Sequence, residues 1–422
     1  MQNISLYLLE FFLYIILIAS TFFYGSILPF SSFILQVVIF LLGFLFLLYL
    51  KNTEKILYPK SIIFLFLFFL IAIFEIIPLP YSILKILSPN TALLYSDYLF
   101  NFKNSFFSIS VYPFNTFFEL LKYITYFIIF LISLNIFNKK EQFERLIIML
   151  AILGSVLSIF GVMKKYFIKE LEISSSFSVF YNRNHFSAYM IIISNLTIGY
   201  SLSLKERSKK ILFGFLGALI SSCIFLSLSR AGILSLCLSL FLLIFFIIPK
   251  NLRKIWLILI FILFTMIFIN IAGIEPIRIR FLEFWKDLGY RLSLSYFGLN
   301  VLKDFFIFGI GLGNFSYIFT KYNLTGRYSY YLLNEHLQLM IEAGFTSIFY
   351  FLFFIFIFKD IFSKLKTRHD LFVRYIVFGG ICGLFGVLFH SFFEFNFHIP
   401  AISILFWAIL GFIYKCVYTH FL

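Results

Sequence analysis

Charge is what this chain lacks most. Only 13% of its 422 residues are Asp, Glu, Lys or Arg and 62% are hydrophobic, whereas soluble globular domains carry roughly 25% charged residues. A chain this poor in charge cannot hide its apolar surface in one aqueous core. A soluble globular protein is excluded, and a polytopic membrane protein is expected. Negative charge is the scarcer sign, with 19 Asp and Glu against 34 Lys and Arg. Cysteine is nearly absent. Cys223, Cys237, Cys382 and Cys416 all fall inside apolar runs, the setting of small buried residues rather than of disulfides or metal ligands. Internal repeats, low-complexity linkers and soluble domains are also missing, so residues 1–422 read as a single membrane domain. No basic stretch precedes the first apolar run, and residues 6–23 therefore read as a retained span and not a signal peptide.

What the chain does have is long apolar runs. They lie near 6–23, 27–50, 61–77, 114–137, 143–163, 184–203, 211–228, 231–248, 255–272, 337–358, 371–390 and 399–417. Each is close to the roughly 20 residues that cross a bilayer as a helix. The expected fold is all-α and polytopic, with about twelve transmembrane helices. The connections 51–60, 138–145, 204–210, 249–254 and 359–370 are short and basic, and with Arg374 and Lys415 they hold 19 of the 34 Lys and Arg. The positive-inside rule assigns them to the cytoplasm, where the net charge of +15 suits anionic headgroups.

The remaining cations are then outside, among them Arg183, Arg230, Arg278, Arg280, Arg291 and Arg327. Guanidinium stays charged and grips phosphate oxygens with two bonds, so arginines beside span ends point to a phosphate-bearing substrate. Nucleic acid is not expected outside a membrane. Two outer connections are long. The smaller, 78–113, reads as a short element along the interface. The larger, 273–336, separates the ninth and tenth spans and reads as helices with Arg278, Lys286 and Arg291 on polar faces. Its FGIGLGNF (308–315) has neither the preceding strand nor the ending of a nucleotide loop, so a tight turn is expected there. It ends in YYLLNEHLQLMIEAG (330–344), which runs straight into apolar 345–358. Asn334, Glu335 and His336 thus stand at the mouth of a span. Ionisable groups near hydrocarbon are costly and are functional by default.

Four stretches in order, NRNHFSAYM (182–190), SLSRAGIL (227–234), DFFIFGIGLGNF (304–315) with NEHLQLMIEAG (334–344), and HSFFEFNFHIPA (390–401), carry a resemblance. Together they resemble the O-antigen ligase and polymerase family of bacterial envelope polysaccharide glycosyltransferases, over roughly residues 80–417. The resemblance implies transfer on the periplasmic face of the inner membrane. The donor would be a glycan on undecaprenyl diphosphate. The acceptor would be a hydroxyl, on lipid A-core for a ligase or on a second lipid-linked glycan for a polymerase. It implies an inverting, metal-independent enzyme with no cofactor, whose partners are these substrates and membrane lipids. Part of the active site would lie in the 273–336 loop.

Arg230 and Arg291 match family positions that carry arginine, and Arg278 and Arg280 are neighbouring candidates for the donor diphosphate. The family's signature is His, then Asn, Ser or Gln, then nine residues and Gly. Counted back from Gly344, the His position is Leu333, followed by Asn334. The imidazole stands instead at His336, expected on nearly the same helical face. The family's usual Pro before the glycine run is Phe306 here, and its usual Asp after the later His is Glu394.

The transfer needs a base for the acceptor hydroxyl, a role that suits His336 first and Glu335 second. The plain alternative for His336 is a bond to a backbone carbonyl. Asn182, Asn184, His185, Asn334, His390 and Glu394 are candidate substrate contacts. His390, Glu394 and His398 would align as metal ligands on one continuous helix, but Asn396 and Pro400 argue for a bend, and no metal site is expected. Tyr328, Tyr330 and Tyr331 offer ring faces to a glycan, a weak sign in a chain with 26 Tyr. A transporter of lipid-linked glycan is the reading from a different class. It would show related halves and interrupted mid-membrane spans, and the sequence shows neither.

Overall fold

A computed structural model describes residues 2–51, 53, 56–100, 102–167, 176–247, 266, 282, 284–322 and 329–421. Its helices are α1 (Gln2–Ala19), α2 (Phe22–Ser26), α3 (Pro29–Leu50), α4 (Ile62–Ile76), α5 (Tyr81–Leu87), α6 (Pro89–Tyr98), α7 (Pro113–Ile136), α8 (Lys140–Phe167) and α9 (Arg183–Ser203). There follow α10 (Arg207–Leu226), α11 (Arg230–Ile247), α12 (Phe284–Asp304), α13 (Phe315–Tyr322), α14 (Glu335–Ala343), α15 (Ser347–Lys366), α16 (Leu371–His390) and α17 (Pro400–Tyr418). Among the described residues, nine candidate spans are long and apolar enough to cross a membrane: α3, α7 to α11, the run from α14 into α15, α16 and α17. Two shorter apolar helices, Ser5–Ala19 and Ile62–Ile76, fall where further spans were expected. The protein is thus an all-α, multi-pass membrane protein, and twelve spans are not reached among the described residues. The expected span at 255–272 lies outside them, as do Arg278, Arg280, Arg327, Tyr328 and the first part of the 273–336 loop.

The outer surface of the bundle is apolar. Phe33, Leu41, Phe44 and Leu47 of α3 are all exposed, as befits a solvent of lipid in which helices satisfy their own backbone groups. In that solvent helices are held by close packing and polar contacts instead of by burial from water. The centre is α9, almost wholly buried and packed against α8, α10, α11 and α16. It meets α16 backbone to backbone: a Cβ on Gly199 would stand 2.5 Å from the Tyr375 carbonyl oxygen, and one on Gly379 2.6 Å from that of Asn195. Asn195 Nδ2 also donates to Ser239 Oγ of α11 at 2.9 Å. Likewise Ser133 Oγ of α7 donates to the Ala408 carbonyl of α17 at 2.6 Å. On the side expected to be cytoplasmic, Arg145 of α8 grips the buried Glu10 of α1 with two bonds of 2.9 and 3.0 Å.

The 78–113 connection is more built than a single interfacial element. It holds α5, α6 and a two-stranded antiparallel sheet with Leu79 opposite Phe107. The glycine run is the tight turn expected of it, and the reason lies in α14. The amides of Ile310 and Gly311 donate to the carbonyls of Ile341 (3.2 Å) and Glu342 (2.9 Å), and the Gly313 amide to Glu342 Oε2 (2.8 Å). Gly313 has φ +75°, and a Cβ there would stand 2.4 Å from Glu119 Cγ of α7. The turn is wedged between α7 and α14. The apolar run expected as one span at 337–358 is two helices, because the chain breaks at Gly344 and passes through a 3-10 turn before α15.

Candidate active site

The segment 391–399 between α16 and α17 organises the site. Helix α16 ends at His390, Asn396–His398 form a 3-10 turn, and Pro400 opens α17. The bend is the one expected, so His390, Glu394 and His398 do not share a helical face. Among the described residues, no three His, Cys, Asp or Glu side chains are grouped to hold a metal ion.

One side of the segment meets α14. Asn334 is extended (φ −162°), and its Oδ1 caps the helix by accepting from the Leu337 amide at 3.1 Å. Leu333 therefore precedes the helix and packs into an apolar cluster with Leu294, Ile318 and Phe319. The expectation that Leu333 and His336 share a helical face is corrected, because the helical period starts only after the cap. Glu335 is tied down at both ends. Its amide donates to the Ser391 carbonyl at 2.8 Å, and its Oε2 accepts from the Phe397 amide at 3.0 Å.

His398 Nδ1 lies 3.1–3.2 Å from the Glu335 carboxylate. On its other edge, Gln338 Nε2 is 3.2 Å from His398 Nε2 and donates to Glu342 Oε1 at 3.0 Å. Gln338 Oε1 accepts from the Leu332 amide (2.8 Å), so its NH₂ faces the imidazole and donates to Nε2, while Nδ1–H donates to Glu335. Two pulls act on this ring. Gln338 fits the neutral form. Burial also opposes charge, but the Glu335 carboxylate outweighs it and holds the pKa above the ordinary 6.5. Tyr331 packs against the rings of His398 and Phe395, with centroids 4.5 and 4.7 Å away.

His336 faces a different space. Its Nε2 is 2.9 Å from the Leu388 carbonyl, which can only accept. This is the backbone-carbonyl bond of the plain alternative; it places a proton on Nε2, and in a neutral ring Nδ1 would keep the lone pair a base requires. The ring lies against Phe392 and beside a cavity of about 780 Å³, whose wall is Glu335, His336 and otherwise chiefly apolar side chains such as Leu339, Phe351, Phe354 and Phe389.

The other side of the segment meets α12 and α9. Arg291 of α12 donates to the Phe393 carbonyl and, at 3.1 Å, to Glu394 Oε1. Asn184 Nδ2 donates to the same carboxylate oxygen at 2.5 Å, and Ser229 Oγ donates to Asn184 Oδ1 at 2.6 Å. Ser229 immediately precedes Arg230, the first residue of α11. Asn182 is the cap of α9, its Oδ1 accepting from the Asn184 amide at 2.9 Å. Burial lifts the Glu394 pKa above the ordinary carboxylate value, and Arg291 and Asn184 offset only part of that. His185 Nε2, His390 Nε2 and Glu394 Oε2 are buried with no hydrogen-bond partner among the described residues. NRNHFSAYM and NEHLQLMIEAG thus meet 391–399 directly, through Asn184 and Glu335, and SLSRAGIL joins them through the Ser229–Asn184 bond.

Residues 215–352 match the family model described as O-antigen ligase. Over that segment the chain is similar to the O-antigen ligase family. No curated protein matches the chain. The family is one of glycosyltransferase-type enzymes, and the matched segment includes Arg230, Arg291, the glycine turn, Glu335 and His336.

The candidate site also holds residues that do not stand out in the sequence. Gln338 and Glu342 follow Glu335 at three- and seven-residue steps, one helical face in plain view. Glu119 and Lys122 form a 2.7 Å pair inside α7, and both lie within electrostatic reach of His398. Their signal was two ionisable residues in an apolar run. In the sequence His398 stands out only as a possible metal ligand spaced four residues from Glu394.

Proposed function

We propose that the protein transfers a glycan from undecaprenyl diphosphate to a hydroxyl acceptor, lipid A-core or a similar glycan, on the periplasmic face of the bacterial inner membrane. The observation that carries this reading is the segment 391–399, with an apolar cavity on one side and an arginine-bearing polar cluster on the other. A polyprenyl donor is divided in the same way, into hydrocarbon tail, diphosphate and sugar. The tail enters the cavity beside His336. Arg291 and Arg230, joined by Arg278 and Arg280 of the same outer loop, take the diphosphate oxygens. Asn184, His185, His390 and Glu394 meet sugar hydroxyls, and the unpartnered atoms of the last three among the described residues favour this because an unsatisfied buried polar atom costs about 1–3 kcal/mol. Asn182 and Asn334 act through the helices they cap.

In this scheme the acceptor oxygen attacks the anomeric carbon from the face opposite the diphosphate. His336 Nδ1 takes its proton. One C–O bond forms as the other breaks, and the electron pair leaves with the diphosphate, whose growing charge the arginines hold. The anomeric configuration inverts, and no metal or cofactor is called on. Glu394 occupies the Arg291 guanidinium before substrate arrives, so the diphosphate has to share or displace it. Glu335 and His398 hold the mouth of the cavity in shape.

The test is reconstitution in liposomes with labelled undecaprenyl-diphosphate glycan and lipid A-core. Label should pass to lipid A-core. Labelled lipid that crosses the bilayer without any transfer would make the protein a transporter. In cells, a deletion strain with intact lipid-linked polymer and bare lipid A-core identifies a ligase. One arrested at single repeat units identifies a polymerase of the same fold.

A further inference from the structure

A second cavity, of about 500 Å³, lies away from His336, between α6, Val111 and α13. Tyr95, Tyr98 and Tyr317 line it together with Thr91, Thr320 and Lys321. Where the His336 cavity is nearly all hydrocarbon, this one mixes ring faces, hydroxyls and a cation. Its tyrosines are not core residues held there by packing alone, since Tyr98 is 74% exposed and Tyr317 54%. Nor are the rings of Tyr95 and Tyr317 loose. Tyr95 stacks on Phe107 at 4.3 Å and its hydroxyl donates to the Ser110 carbonyl at 3.4 Å, while Tyr317 stands edge-on to Tyr112 at 5.0 Å.

Aromatic faces, two of them held in place, beside hydroxyls and an ammonium group are the chemistry that recognises sugars. The C–H face of a pyranose packs on a ring, and its hydroxyls exchange hydrogen bonds with Tyr, Thr and Lys. A lipid tail gains nothing from the polar wall, and a nucleotide finds, among the described residues, one lining cation for its phosphates. The position fits as well. Val111, in the wall, donates its amide to the Ile310 carbonyl at 3.0 Å, and Asn314 Nδ2 donates to Ser110 Oγ at 3.0 Å. Three residues beyond Ile310, the Gly313 amide reaches Glu342 of α14. The wall of this cavity and the turn braced on the candidate active site are one piece of chain.

We infer that the cavity binds an oligosaccharide segment away from the reacting carbon, carried by either the acceptor or the donor. Its part in catalysis rests on the transferase reading; its binding does not. The experiment uses the whole protein in nanodiscs and two soluble probes: core oligosaccharide released from lipopolysaccharide by mild acid, and the repeat-unit oligosaccharide released from the donor. Saturation-transfer NMR should show one of them bound to the wild type. Binding should weaken about tenfold in Tyr98→Ala/Tyr317→Ala, the loss of two aromatic contacts, and to a lesser degree in Lys321→Gln. In the transfer assay the same double variant should raise the KM of that glycan much more than it lowers kcat. A raised acceptor KM assigns the site to the acceptor, and a raised donor KM to the donor. Oligosaccharide bound at these tyrosines by a protein that transfers nothing would sink the transferase reading and leave this one standing. The inference is overturned if neither probe binds the wild type, or if the double variant binds as the wild type does.

Discussion

His336 and Arg291 are asked for different things, and their substitutions should fail differently. Loss of a general base lowers rate by about 10²–10⁴-fold, so His336→Ala should insert normally and transfer almost nothing. If it stays active while Glu335→Gln is dead, the carboxylate is the base. Arg291→Lys keeps the charge but loses the fork that spans Phe393 and Glu394, and transfer should drop about tenfold or more, since one charge-assisted bond is worth roughly 1.5–3 kcal/mol. Wild-type transfer in Arg291→Ala would make it an ordinary loop cation. His398 and Glu394 add a pH dependence. Both pKa values are raised, from ordinary values of 6.5 and 4.5. The folded state therefore binds these protons more tightly, and the stability they contribute is complete below the ordinary values and is lost as pH rises through the raised ones. Thermal stability of the wild type should fall as pH rises above the ordinary histidine value of 6.5, and more steeply than that of His398→Gln. Equal slopes would show that the Glu335 pair does not hold the segment. Glu335 and His336 were legible because charge at the edge of an apolar run is conspicuous. The Glu335–His398 pair was not, because its partners are far apart in sequence and no local pattern reports a contact between them.

At the level of elements, the glycine turn was readable and its purpose was not. GIGLG signals a turn by composition, but the nearness of Glu119 to Gly313 exists only once α7 and α14 are packed. Gly313→Ala adds a methyl where φ is +75° and Glu119 is in the way, so it should destabilise the protein by about 1–3 kcal/mol and lower transfer. An unchanged melting temperature would mean the turn yields without cost. The cap at Asn334 has a consequence for the displaced imidazole. Leu333 sits before α14 in an apolar cluster, so Leu333→His combined with His336→Ala should stay inactive. Restored transfer would show that the two positions are interchangeable after all. The break at Gly344 was hidden inside a continuous apolar run, since hydropathy reports depth in the bilayer and not helix continuity.

For the molecule as a whole, lipid makes the spans legible by requiring helices of bilayer length, and the helices at residues 27–50, 114–137, 371–390 and 399–417 follow the sequence reading closely. Which helices touch was not legible, because small residues and polar contacts decide it, as at Gly199 and Gly379. The positive-inside rule predicts the orientation of the bundle from its basic connections. A reporter in 359–370 should score cytoplasmic and one in 321–333 extracytoplasmic, and the reverse pattern would remove the donor site from its face. Undecaprenyl diphosphate with a photoreactive group in its tail asks the most direct question of the protein. Label should enter peptides that carry Leu339, Phe351, Phe354 and Phe389, and Arg291→Ala should weaken it by releasing the diphosphate. Label confined to the lipid-facing side of α3, and indifferent to Arg291, would contradict a donor held with its tail beside His336.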